Sequence, residues 1–88
     1  MKYVYPAVFT AYENGGYMVS FPDLPGCNTE ADDLYDVLYE AEGSLIEFLE
    51  CLIDEKMPVP AASRLEEISL EPGQFVNLIR ANVRRDAA

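Results

Sequence analysis

The segment from Tyr17 to Thr29 constrains this chain more than any other. Tyr17-Met18-Val19-Ser20-Phe21 alternates its side chains between two faces and then runs into Pro22-Asp23-Leu24-Pro25-Gly26. Each proline fixes φ and removes a backbone donor, and Asp and Gly favour tight turns, so a strand has to end there and the chain has to reverse. The chain resumes extended from Cys27 to Glu30, just ahead of an acidic run with a different period. A rigid turn between two strands, followed at once by a helix, marks an architecture and not a reaction.

The flanking sequence completes the order of elements. Lys2 to Tyr12 is rich in Tyr, Val, Phe and Thr, which suit a pleated surface, and leads into Glu13-Asn14-Gly15-Gly16. Asn-Gly supplies the positive φ angles of a tight hairpin, so the first two strands are expected to pair antiparallel. In the second strand Tyr17, Val19 and Phe21 share one face, the better candidate for packing on a helix, while Met18 and Ser20 share the other.

From Asp32 or Asp33 to about Glu55 the apolar residues Leu34, Val37, Leu38, Ala41, Leu45, Phe48, Leu49, Leu52 and Ile53 recur at three- and four-residue steps. One long amphipathic helix fits, capped by Thr29, Asp32 or Asp33, with Asp32, Asp33 and Asp36 where the helix dipole favours negative charge. Gly43 either weakens this helix or lets another backbone approach. Lys56, Pro58 and Pro60 end it.

Met57 to Ser63 then forms a proline-containing connector. Arg64 to Gly73 is charged and turn-like, with Leu65, Ile68 and Leu70 adding a little buried surface. Gln74 to Val83 alternates as a last strand, whose edge could pair with another subunit. The expected fold is therefore α+β, an antiparallel three-stranded meander, one long helix and one further strand, β-β-β-α-β. Residues 1–83 are read as a single domain and residues 84–88 as a short polar tail.

Charge and size narrow the function. Sixteen carboxylates oppose six Lys and Arg, a net charge of -10, so a phosphate backbone is repelled and no direct nucleic-acid binding is expected. The same field favours a basic protein partner, although acidity also serves solubility alone. Eighty-eight residues bury a modest core, which makes a homo-oligomer the default expectation. Neither a signal peptide nor a membrane span is read from the sequence, so the cytoplasm is the expected place. Cys27 and Cys51 match neither a metal motif nor a disulfide framework, and two reduced thiols are expected.

Catalysis finds little support. The chain has no histidine, and Lys2 to Tyr12 carries no Asp or Glu. Two-metal nuclease chemistry needs carboxylates converging on the cations, normally with one from the first central strand. No catalytic residue, metal or cofactor is assigned, and the chain is read as a non-enzyme.

Other residues carry two readings each. Asp23 suits a ligand or partner contact, but its place between prolines favours an Asx-type turn. Cys27 is redox-active or, more simply, a small buried apolar residue. The carboxylates Asp32, Asp33, Asp36, Glu40, Glu47, Glu50 and Asp54 form either a surface for a basic partner or a solvated outer face. Tyr35 and Tyr39, four apart beside them, are interface residues or the rim of the core.

The Phe21-Pro22-Asp23-Leu24-Pro25-Gly26-Cys27 segment, the acidic helix start with Leu34 and Ala41, and the closing Pro58-Val59-Pro60 with Ser63 together resemble the HicB-type antitoxins in their short form. The resemblance covers about residues 3 to 83 and implies a partial ribonuclease-H-like domain. It further implies binding to a HicA-type toxin, a small basic protein that cleaves messenger RNA, and masking of its active site. Many members add a C-terminal DNA-binding domain, which is not expected within this sequence. The residues expected to contact the partner are Asp23, Leu24, Pro25, Asp32, Asp33, Asp36 and Glu40. The competing reading is a stand-alone oligomeric regulatory or scaffold protein with an unrelated partner.

Overall fold

The structure is a computed structural model and describes residues 1–83, so the expected tail at 84–88 lies outside the described residues. The element order is β1 (Lys2–Ala11), β2 (Tyr17–Ser20), β3 (Asn28–Ala31), α1 (Leu34–Asp54), a short 3-10 turn (Leu65–Glu67) and β4 (Gln74–Asn82). The strands form one antiparallel sheet in the order β3-β2-β1-β4. The α+β class and the β-β-β-α-β order are those expected from the sequence, with β3 starting one residue later. The last strand pairs within the chain, along the whole of β1 from Lys2↔Asn82 to Thr10↔Gln74.

This topology explains the long connector. The helix starts where β3 ends and runs about 31 Å at 1.5 Å per residue to the opposite end of the sheet. Since β4 begins beside Thr10, back at the starting end, residues 57–73 have to return along the domain.

Alternation decides which sheet face the helix covers. Tyr5, Ala7 and Phe9 of β1, Val19 of β2, and Ile79 and Ala81 of β4 form one buried cluster with Val37, Ala41, Leu45 and Leu49 of α1. The register places Phe9 opposite both Val19 and Phe75, and the Phe9 and Phe75 rings stack with centroids 4.8 Å apart. Fully burying side chains of this kind contributes roughly 1.5–3 kcal/mol each, the main stabilising term for so small a domain. On the opposite face Pro6 and Val8 are also buried.

Two local expectations are revised and one left open is resolved. The hairpin is not a two-residue Asn-Gly turn: Gly15 alone has positive φ (95°), and its N–H donates to Tyr12 O at 3.1 Å. The loop is one residue longer, Gly15 supplies the left-handed step, and Asn14 instead accepts the Gly16 N–H through Oδ1 at 3.0 Å. The helix buries Val37, Ala41, Leu45 and Leu49, a strict four-residue stripe, and leaves Leu34 and Leu38 of the expected apolar face 41% and 38% exposed. A Cβ at Gly43 would meet no heavy atom within 4 Å, so no backbone approaches there and the glycine only weakens the helix.

The helix stops as its sequence demands. Lys56 turns left-handed (φ 57°), its N–H donates to Ile53 O, and the Met57 N–H donates to Leu52 O at 2.8 Å. Two orphan carbonyls are thereby satisfied before the prolines begin.

Candidate partner-binding surface

The Pro-Asp-Leu-Pro-Gly turn is closed by its own backbone. Leu24 N–H donates to Phe21 O at 3.0 Å and Cys27 N–H to Leu24 O at 2.9 Å, and Gly26 takes the positive φ (93°). With those donors satisfied, the Asp23 carboxylate is released for other work. It accepts the Ser63 N–H at 2.8 Å and the Ser63 hydroxyl at 2.5 Å, so it pins the connector and does not form the expected Asx-type turn. Tyr5 adds a second tie, its hydroxyl donating to Pro60 O. Burial, then Tyr3 and Asp23, hold the Tyr5 phenol above its ordinary pKa, keeping it protonated to serve as that donor.

Leu24, expected among the contact residues, has no exposed surface and belongs to the core. A turn braced by two prolines still has to face one apolar side chain inward, and Leu24 is the only aliphatic residue it offers. Pro25 is exposed, and Asp23 is partly so. Cys27 is buried, and burial lifts its thiol from 9.0 to about 11, which makes it an apolar filler at neutral pH; Cys51 is exposed and also free.

The four other expected contacts cluster at the head of α1. Asp33 is the N-cap, with extended backbone, and its Oδ1 accepts the Asp36 N–H at 2.8 Å. This choice among the three capping candidates follows from position: only Asp33 immediately precedes the first helical residue. Asp32, Asp33, Asp36 and Glu40 are all exposed.

Beside them lies a groove of about 530 Å³ lined by Asp32, Asp36, Tyr39 and Glu40 together with Tyr12 and Glu30. Tyr12 comes from the start of the β1–β2 loop and Glu30 from β3, and neither was among the expected contacts. Pairing of Ala31 with Tyr17, and of Tyr17 with Ala11, brings the end of β3 level with the start of the hairpin loop. Tyr12 donates its hydroxyl to Glu30 Oε2 at 3.3 Å, and desolvation, then that carboxylate, raise the phenol's pKa. The hairpin register was the only available signal for Tyr12 and Glu30, and it depended on the loop length.

Four carboxylates and no Lys or Arg line this groove, which gives it a strong preference for cationic side chains. Among the described residues, no three His, Cys, Asp or Glu side chains are arranged to hold a metal ion, and no helix is long and apolar enough to cross a membrane.

Comparison with known proteins places these features in a family. Residues 4–71 match the family described as HicB_like antitoxin of bacterial toxin-antitoxin system. Antitoxin HicB 1 of Photorhabdus laumondii subsp. laumondii is 40% identical over 58 residues, which span 64% of this chain and 37% of that protein. The match spans less than half the length of the curated relatives, 37% and 44% of them.

Among solved structures, the fold resembles a toxin-antitoxin complex chain from Streptococcus pneumoniae with a TM-score of 0.84 and 19% identity, covering 93% of this chain and 70% of that one. It also resembles a chain of the HicA3 and HicB3 toxin-antitoxin complex, with a TM-score of 0.71 and 20% identity, covering 94% and 100% of the two chains. The structures speak for the fold, and the sequence match over the segment that holds both the turn and the connector speaks for descent: this chain belongs to the HicB-like antitoxins of bacterial toxin-antitoxin systems.

Proposed function

We propose that this chain is the toxin-binding module of an antitoxin and neutralises a small basic HicA-type toxin by covering its active site. The observation that carries the reading is the acidic, tyrosine-flanked groove at the head of α1 in a domain of this family. Pro25, Asp32, Asp33, Asp36 and Glu40 contact the partner, Tyr12, Tyr39 and Glu30 extend that surface, and Asp23 and Leu24 hold the adjoining turn in shape. The HicA3 and HicB3 complex supports a partner of this class.

The mode of action is occupancy. A chain with no histidine and no acid on its first strand has little with which to make or break bonds, and an acidic surface suits a basic nuclease. The site of action is the cytoplasm, where the messenger RNA is, and the module self-associates. Co-expression with the small basic open reading frame beside its gene tests the reading: growth is restored and the two proteins co-purify. A toxin that kills regardless, with no complex recovered, would refute it.

A further inference from the structure

The helix that borders the groove carries a further face, which starts with Leu34 and Leu38 beside the buried stripe, continues to Tyr35 and Tyr39 on the outer side, and meets the groove at Tyr39. Leu34, Tyr35, Leu38 and Tyr39 are 41%, 83%, 38% and 76% exposed. Residues four apart stack on adjacent turns, so Leu34 with Leu38 and Tyr35 with Tyr39 form two neighbouring rows of one patch. Polar side chains would suit a solvated helix face as well, and four large apolar or aromatic residues within six positions are not scattered surface hydrophobics.

We propose that this face is a docking surface, and that its occupant is a basic protein presenting arginines around an apolar centre. The chemistry is complementary on each count. The two leucines meet the apolar centre, the two tyrosines offer ring faces to guanidinium groups, and Asp32, Asp36 and Glu40 border the patch with carboxylates. No Lys or Arg occurs from residue 31 to residue 55. A second copy of this chain is the wrong occupant, because two partners of net charge -10 would bring like-charged rims together. The outer sheet face, where Val4 and Leu78 are also exposed, lacks that border: Arg80 lies opposite Val4.

This inference rests on the antitoxin reading for the identity of the occupant and places the toxin's anchor on the helix, outside the Pro-Asp-Leu-Pro turn. The test uses the full chain with two probes, a purified HicA-type toxin and a short arginine-rich peptide followed by residue-resolved NMR. Three variants are compared: Tyr35→Ser with Leu38→Ser, which alter the face and not the groove, Asp36→Lys with Glu40→Lys, on the border the two share, and the outer-face control Leu78→Ser. All substituted side chains are exposed, and circular dichroism verifies that each variant folds.

The Tyr35 and Leu38 variant and the charge reversal are each expected to weaken toxin binding at least about tenfold, as central anchors do, while the control leaves it unchanged. Peptide-induced shifts are expected to concentrate on residues 32–40. Toxin binding untouched by the Tyr35 and Leu38 variant but lost on charge reversal would overturn this face and leave the groove of the antitoxin reading intact, and toxin binding untouched by both would overturn face and groove alike. Absent toxin binding with peptide shifts still confined to residues 32–40 would remove that reading and uphold the face. Shifts spread over every acidic residue, or a wild-type dimer that the Tyr35 and Leu38 variant dissociates, would overturn the proposal.

Discussion

Asp23 shows how one side chain joins two distant segments. Its carboxylate takes both hydrogen bonds offered by Ser63, forty residues away in sequence, and so ties the β2–β3 turn to the returning connector. Hydrogen bonds to a charged group contribute more than neutral ones, up to about 1.5–3 kcal/mol. Ser63→Ala removes one of the two and is expected to cost about 1 kcal/mol, Asp23→Ala removes both and is expected to cost about 2 kcal/mol, and the double variant should be no worse than Asp23→Ala. Urea unfolding of the three variants checks this, and simple additivity would rule out the tie.

Cys27 makes a different residue-scale prediction. Its thiol, raised by burial to about 11 from 9.0, is held neutral by the fold, so the folded state keeps its proton longer than the unfolded chain does. The associated stability is complete below pH 9.0 and is lost as the pH rises toward about 11. Thermal melts across that range should show a fall that Cys27→Ala diminishes, and a thiol reagent at pH 8 should label the exposed Cys51 long before Cys27.

At the scale of elements, α1 carries a removable weakness. Gly43 lies mid-helix with open space around the position a Cβ would take. Gly43→Ala is therefore expected to stabilise by about 0.5–1 kcal/mol through helix propensity and a less flexible unfolded chain. In a domain this small that raises the melting temperature by several degrees, roughly 4–8 °C per kcal/mol, measurable by calorimetry. An unchanged or lowered midpoint would contradict the open space around that position. The hairpin, in contrast, cannot spare its glycine: Gly15 holds a φ of 95° that side chains rarely adopt.

For the whole molecule, charge and shape act together. A single antiparallel sheet with its helix on one face puts the head of the helix, the end of β3 and the hairpin loop side by side, so the acids of residues 30–40 meet Tyr12 and Asn14 of the hairpin around one groove. A net charge of -10 draws a basic partner in from a distance, but exposed ion pairs are screened by salt. The association rate with the proposed toxin partner should therefore fall by an order of magnitude or more between about 20 and 500 mM salt, with a much smaller change in the dissociation rate. Stopped-flow fluorescence separates the two, and an association rate indifferent to salt would exclude steering by this field.

What the sequence by itself determined was most of what neighbours within a few positions govern, the hairpin loop length and the role of Asp23 excepted. Alternation in β1, β2 and β4, the proline-braced turn, the helix over Leu34–Asp54 and its stop at Lys56 all follow from local period and backbone chemistry. The exposed acids Asp32, Asp33, Asp36 and Glu40 were legible for the same reason, since they gather at one helix terminus. Tertiary structure decided the rest: the partner of Asp23, the burial of Leu24, the uncovered Leu34 and Leu38, and the entry of Tyr12 and Glu30 into the groove. Each depends on which segments meet across the sheet and on how far a helix drifts around its axis before the core narrows. Those distances are set by packing of the whole chain, and no local pattern of residues encodes them.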